Sequence, residues 1–420
     1  MTDHRSQYAR QPALSDIAVP LCRKAFKRRK RSCLAATALA TLAVAPAVAQ
    51  EVPLIEIDDE RTSTVRSSGV DGGNAADITV LGEGSIVVDS GPALVLDSDN
   101  SVLNEGILDS DAEANGSGIL VETEGGRSAD IENTGSIRVG PELDLNEDER
   151  PTTGPNFGIR LDGEGMFEGD ILNSGTGLIE VTGDGAVGID IGSPMTGDIV
   201  NQGTIDVRGD DAVGIRLSDT LDGNLTNSGA IQSTLEGGGV GILVGGDISG
   251  QLVNQGSVAA GAPRRADQRR DLVEQQAGVA ALFVNADVAG GIVNGPTEDG
   301  GAGTNADLLA RGGGSGLLVS GRALDGAGRD VTLGVVGAGD EAFAIINRAS
   351  IRTDSQIRDA GAPAVRIEGA EIDGVIFRTV LDGGFLNAQG ATIGSTTADG
   401  QATGVSIGAQ ATVPVLRNDG

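Results

Sequence analysis

Carboxylates are the commonest reactive groups in this chain: 60 Asp and Glu stand against 30 Lys and Arg, a formal charge of −30 over 420 residues. Two clusters stand out, Asp58-Asp59-Glu60 and Asp210-Asp211. Paired carboxylates can cleave a glycosidic bond, one as acid and the other as base or nucleophile. Asp and Arg around bound calcium can act on acidic polysaccharides. In so acidic a chain, such clusters also arise with no chemical role. Asp89-Ser90-Gly91 has the outline of a nucleophile motif but no base beside it. Arg208-Gly209-Asp210 spells an integrin-type tripeptide, yet it falls where a turn is expected, and Gly-Asp is ordinary turn chemistry.

The missing residue types exclude most other chemistry. His4 is the only histidine, Tyr8 the only tyrosine, Cys22 and Cys33 the only cysteines, and Lys24, Lys27 and Lys30 the only lysines; there is no tryptophan. Beyond residue 49 the chain therefore has no Cys, His, Tyr, Lys or Trp. A Ser-His-Asp triad, thiol catalysis, zinc–thiolate sites and Schiff-base chemistry all lack their central group there. The Gly-Gly-x-Gly-x-Asp calcium nonapeptide does not occur as a tandem array. No catalytic residue, metal ligand or cofactor is assigned, and the chain is not expected to be an enzyme.

The first 49 residues read as a secretory signal peptide with an extended n-region. Arg23 to Arg31 is strongly basic, Leu34 to Ala45 is apolar, and Ala47-Val48-Ala49 is an A-x-A site with cleavage before Gln50. The apolar stretch is far short of the ~20 residues that span a membrane. Cleavage removes nine basic and two acidic residues and leaves 21 against 58, a net charge of −37. Nucleic acid and anionic membranes are thus poor partners. The acidity serves solubility or, on a sharper reading, weak binding of divalent cations.

The elements that would position any of these groups follow from a repeated phrase. Asn201-Gln202-Gly203-Thr204-Ile205 recurs as Asn227-Ser228-Gly229-Ala230-Ile231 and Asn254-Gln255-Gly256-Ser257-Val258. Upstream copies begin at Asn104, Asn133 and Asn173, and degraded copies lie at Asn294, Asn347 and near Asn387. A second phrase lies midway between copies, as in Gly188-Ile189-Asp190-Ile191 and Gly214-Ile215-Arg216-Leu217. A third leads into the Asn, as in Gly197-Asp198-Ile199-Val200. Each period thus holds about three short runs of alternating apolar residues, too short for helices, with one face buried and one wet.

A fixed period of 26–28 residues marks a solenoid. The fold expected is all-β: a single-stranded, right-handed parallel β-helix of some twelve turns, ~60 Å long at ~4.8 Å per turn. Equivalent residues then stack, so Asn104, Asn133, Asn173, Asn201, Asn227 and Asn254 are expected to form a hydrogen-bonded column, with Gly supplying positive φ at the corners. The composition agrees. Gly is 67 residues, aromatics are 2% and the hydrophobic fraction is 39%, which suits a narrow aliphatic interior. A β-sandwich would not repeat one phrase in register.

Along the chain, residues 50–68 are expected to be an irregular acidic lead-in, and 69–420 to be coils. Three insertions break the period, near 141–155, 261–276 and 296–307. The second carries Arg264-Arg265 and Arg269-Arg270, could form a short helix, and reads as a solvated loop, a partner contact or a protease-sensitive site. Asn418-Asp419-Gly420 begins another copy of the phrase, so the sequence reads as truncated at its C-terminus.

The Gly/Asn/Val-rich phrase behind a signal peptide resembles the passenger region of bacterial autotransporters (type V secretion) over about residues 69–420. The resemblance implies export by the general secretory machinery, passage through an outer-membrane β-barrel, and folding at the cell surface as a non-enzymatic stalk or adhesin facing a host or neighbouring cell. It departs from that family in having no aromatic-rich alternating strands of a C-terminal barrel, so a periplasmic product is the other expected location. Two further readings stay open: a carbohydrate-active β-helix enzyme, and an exoprotein of two-partner secretion, whose barrel is a separate protein.

Overall fold

The computed structural model describes residues 53–69, 73–141, 154–234, 239–261, 280–297, 305–339, 342–355, 362–397 and 402–420. Residues 51–420 form one compact unit. It is a parallel β-helix in which each phrase becomes one strand. The first sheet has 12 strands, from Leu54–Ile57 to Leu416–Asn418. The second, from Glu60–Arg61 to Thr392–Thr397, and the third, from Val65–Arg66 to Val405–Ile407, have 11 each. Pairing is parallel and in register: Ile179, Ile205 and Ile231 stack in the second sheet, and Ile189, Ile215 and Ile242 in the third. These columns are wholly buried and belong to one continuous aliphatic core. Each such side chain contributes ~2–3 kcal/mol by leaving water.

Most coils hold a fourth short strand that the apolar alternation does not reveal. Arg127–Ser128, Phe167–Glu168, Met195–Thr196 and Leu221–Asp222 pair as one sheet. Bridges through Ile248 and Val288 carry the column on to Val331–Leu333 and Thr379–Leu381. Three of these strands are two residues long and place one apolar residue inward, the buried Phe167, Met195 and Leu221. One residue per turn has no period within the coil, so pattern reading passes over it.

One expectation needs correction and another holds in part. Residues 50–68 are not an irregular lead-in where they are described. Leu54–Ile57 pairs with Asp77–Val80, Glu60–Arg61 with Ser85–Val88, and Val65–Arg66 with Pro92–Leu96, so the first coil starts at Leu54. It escapes the phrase because Ile57 and Val80 occupy the position where later coils carry Asn.

Positive φ is found at corner glycines such as Gly169, Gly197 and Gly209, but not at the glycines of the Asn-x-Gly phrase. None of the asparagines in the column has positive φ, and neither do Gly203, Gly229 and Gly256. What these glycines provide is room. A Cβ on Gly203 would sit 2.1 Å from the carbonyl oxygen of Gly177 one coil earlier, and one on Gly229 would sit 2.0 Å from that of Gly203. In the third sheet, a Cβ on Gly188 would meet Cγ2 of Ile205 at 2.4 Å, so that glycine leaves space for a core isoleucine of the next coil.

Residues 142–153, 262–279 and 298–304 lie outside the described residues, as do Ala47, Ala49, Gln50 and the short helix expected near 261–276. Excursions that were not foreseen lie at 321–329, at the Val336–Phe343 bridge and at 369–378.

Candidate interaction surface

The six asparagines singled out by spacing do form one column, and it is longer than the phrase suggests. Asn104, Asn133, Asn173, Asn201, Asn227, Asn254, Asn294, Asn347, Asn387 and Asn418 each close a first-sheet strand. In every step Nδ2 donates to Oδ1 of the next coil, at 2.7 to 2.8 Å. The rungs from Asn104 to Asn387 are buried. The direction never reverses. Asn104 Oδ1 is therefore left buried without a partner, because Val80 above it has no donor. Buried amides saturated by one another hold strands together and are closed to a ligand.

A second ladder at the preceding corner went unread. Asp130 Oδ1 accepts from the Asp170 backbone N–H at 3.0 Å, Asp170 from Asp198 at 2.8 Å, and Asp198 from Asn224 at 2.8 Å. Asn224 Oδ1 then accepts from Gln251 N–H at 2.9 Å. The signal was present as the series Gly169-Asp170, Gly197-Asp198 and Gly223-Asn224, but it reads as turn chemistry when taken one copy at a time.

The candidate reactive clusters do not converge. Asp59 accepts from its neighbour Arg61 at 3.0 Å, and Asp210 and Asp211 sit on an exposed corner where Asp211 has φ 55°. Asp89-Ser90-Gly91 is a turn, its Gly91 carbonyl taken by the Ser110 hydroxyl at 2.7 Å. In Arg208-Gly209-Asp210 the arginine is turned back onto Asp206 of its own strand, and that hydrogen bond raises the Arg208 pKa. Among the described residues, no three His, Cys, Asp or Glu side chains are grouped to hold a metal ion.

The outer faces instead carry arginine–carboxylate rows that cross from coil to coil. On the third sheet Arg216 makes a bidentate pair with Asp190, at 2.7 and 2.9 Å, and Asp190 is only 4% exposed. Arg160 lies on the other side of Asp190 and stacks on the Phe157 ring at 4.4 Å. Nearer the start, Arg66 bridges Asp97 and Glu122 at 2.8 and 3.0 Å. Burial pushes the Asp97 carboxyl up, but hydrogen bonds from Ser68 and the Arg66 guanidinium outweigh it and hold the group below the usual range. Asp109 and Glu132 move the other way, raised by burial and then by Asp111 and Glu105 respectively. These pairs offset part of the acidity locally, and the surface stays strongly acidic.

One surface differs from the rest. At the corner after the third sheet most coils turn tightly, but two consecutive coils project hairpins. In the first, Arg322 bridges Gly328 around the tip Leu324-Asp325-Gly326. In the second, Ala370–Ile372 pairs antiparallel with Val375–Phe377. Its turn, Asp373-Gly374, has φ 53° and 79°, as a two-residue hairpin loop requires. The hairpins stack: a Cβ on Gly328 would enter the Phe377 ring, and Arg322 Nη2 donates to the Glu371 carbonyl at 3.4 Å. Leu324 (54%), Val375 (54%) and Ile376 (45%) stand exposed on this double hairpin, an unusual clustering for large apolar side chains away from the coil ends. Asp-Gly between alternating residues was the sequence signal for the second hairpin.

Comparison with known proteins adds no identity: no family model, curated protein or solved structure matches the chain.

Proposed function

We propose that this chain is the passenger of an autotransporter-like export system, working at the cell surface as a β-helical stalk or adhesin. The general secretory machinery would carry it across the inner membrane, with residues 1–49 removed ahead of Gln50. An outer-membrane β-barrel, on the same or a separate polypeptide, would provide the way out. The observation that carries this reading is the repeat itself. Both ladders and the aliphatic columns devote the recurring positions to stacking, while the surface acids of the outer rows are paired with arginine from coil to coil. Such a body presents what projects from it. Its surface is acidic, which favours solubility over adhesion to anionic membranes.

The test is fractionation of the source cells, with N-terminal sequencing of the product and protease treatment of intact cells. The reading expects a chain beginning at Gln50 and cut by external protease. An uncleaved chain retained in the cytoplasm would sink it. Release of reducing ends or unsaturated sugars from a polysaccharide panel would replace it with the carbohydrate-active reading.

A further inference from the structure

We propose that Met166 is a reversible oxidation site, which takes one oxygen atom from a peroxide on a single face of its sulfur and so yields mainly one sulfoxide epimer. Beyond residue 49 the chain has no cysteine or tryptophan, and its only sulfur atoms are those of Met166 and Met195. The two lie in successive coils at the fourth sheet. Phe167 pairs with Met195, so Met166 directly precedes the residue stacked on Met195. Their surroundings are opposite. Met195 belongs to the aliphatic core and is 1% exposed, whereas Met166 is 48% exposed on the outside of the coil. A dissolved oxidant meets one thioether and not the other.

The surroundings of the exposed sulfur are also one-sided. A thioether sulfur carries two lone pairs, and oxidation at one or the other gives opposite sulfoxide epimers. The Thr196 hydroxyl, one coil on, donates to Met166 Sδ at 3.6 Å and engages one of them. Both partners are anchored through their main chains. The Met166 carbonyl accepts from Arg127 N–H at 2.8 Å, and Thr196 sits in a strand paired in register with Leu221–Asp222. The second lone pair is left for the oxidant.

The step balances with hydrogen peroxide as oxidant. The free lone pair attacks one peroxide oxygen, the S–O bond forms as the O–O bond breaks, and the transferred oxygen passes its proton to the departing oxygen, which leaves as water. Sulfur loses two electrons and the peroxide gains them. The product turns an exposed apolar side chain into a polar acceptor at the surface, where it needs no buried partner. The same change at Met195 would place an unpaired oxygen in the core. Reversal belongs to the methionine sulfoxide reductases, each of which accepts one epimer.

The test is exposure of the full folded chain to hydrogen peroxide, followed by mass spectrometry of its peptides. Cleavage after Glu168 and Glu180 puts the two methionines on different peptides. Met166 should gain one oxygen at least about tenfold faster than Met195, and denaturant should bring the two rates together. Treating the separated Gly165–Glu168 peptide with each reductase then reads the epimer. One enzyme should restore several times more thioether than the other. Thr196→Val should even out the two, and Thr196→Ser, which keeps the hydroxyl, should retain the bias. Equal oxidation of Met166 and Met195 in the folded chain overturns the site. Equal restoration by both reductases, or a bias that survives Thr196→Val, overturns the role of Thr196.

Discussion

Coils between Asn173 and Asn254 and coils between Asn254 and Asn387 share the rung and three continuous sheets but differ in length. In the first region successive rungs are 28, 26 and 27 residues apart. In the second they are 40, 53 and 40 apart. The amide bond at each rung is nonetheless 2.7 to 2.8 Å long in both. Among the described residues, the extra length includes the double hairpin and the Val336–Phe343 bridge, which packs with Val293 and Ile346. The regular region therefore defines the scaffold, and the irregular one carries whatever is specific to this protein.

Substitutions can break that division or sharpen it. The largest loss is expected from Asn227→Ala, which leaves Asn254 Oδ1 buried and unpaired, leaves Asn201 Nδ2 only its long 3.5 Å bond to the Gly203 carbonyl, and opens a void. Roughly 4 kcal/mol should disappear from the unfolding free energy in urea. A loss no larger than that of a surface mutation would mean the ladder is incidental. Gly203→Ala comes next, at ~1–3 kcal/mol, because its methyl must displace the Gly177 carbonyl. Asn104→Val should cost only about 1 kcal/mol, since it exposes one new unpaired acceptor on Asn133 while removing the one already on Asn104. The smallest effect belongs to the irregular region. Replacing 371–376 with a tight turn should shift stability by no more than ~0.5 kcal/mol, read from the thermal midpoint in dilute solution.

Acid titration separates two sites within the first coils. Asp97 is held low in the folded state, so its contribution is present above its unfolded value and lost as pH falls through the folded one, below about 4. Asp109 and Glu132 are raised, so the fold loses stability as pH rises through the interval between their unfolded and folded values. These groups therefore contribute limbs of opposite sign to the dependence of stability on pH. Glu132→Gln should flatten the alkaline limb of that curve, and Asp97→Asn the acid limb. A curve unchanged by either substitution would refute both assignments.

The architecture was legible in the sequence because it is repetitive. Asn201, Asn227 and Asn254 carry the same neighbours, and a parallel stack is the arrangement that aligns them. The ladder past Asn254 was underestimated, because Asn294, Asn347 and Asn387 keep the rung while losing the surrounding phrase. Strand identity there is set by the coil above rather than by local residues. The fourth strand was invisible because one inward side chain, such as Phe167 or Met195, leaves no alternation. The double hairpin was missed for the opposite reason. Its Asp373-Gly374 signal is local and plain, but a solenoid reading absorbs every Gly-rich turn into the coil. Positive φ does occur at corner glycines such as Gly169, Gly197 and Gly209, but the reason for Gly203 is crowding between coils, a tertiary fact visible only when Gly177 and Gly203 are stacked.

The one-way asparagine column has a further consequence. Successive rungs align whether 26 or 53 residues separate them, so register is kept at a point rather than by counting along the chain. The column acts like the spine of a loose-leaf binder. Pages of different width can be inserted, exchanged or removed, and each is punched at the same place. Mutation and recombination can thus diversify what the molecule displays without renegotiating its frame, and a grafted segment of foreign sequence should be accepted most readily between two rungs.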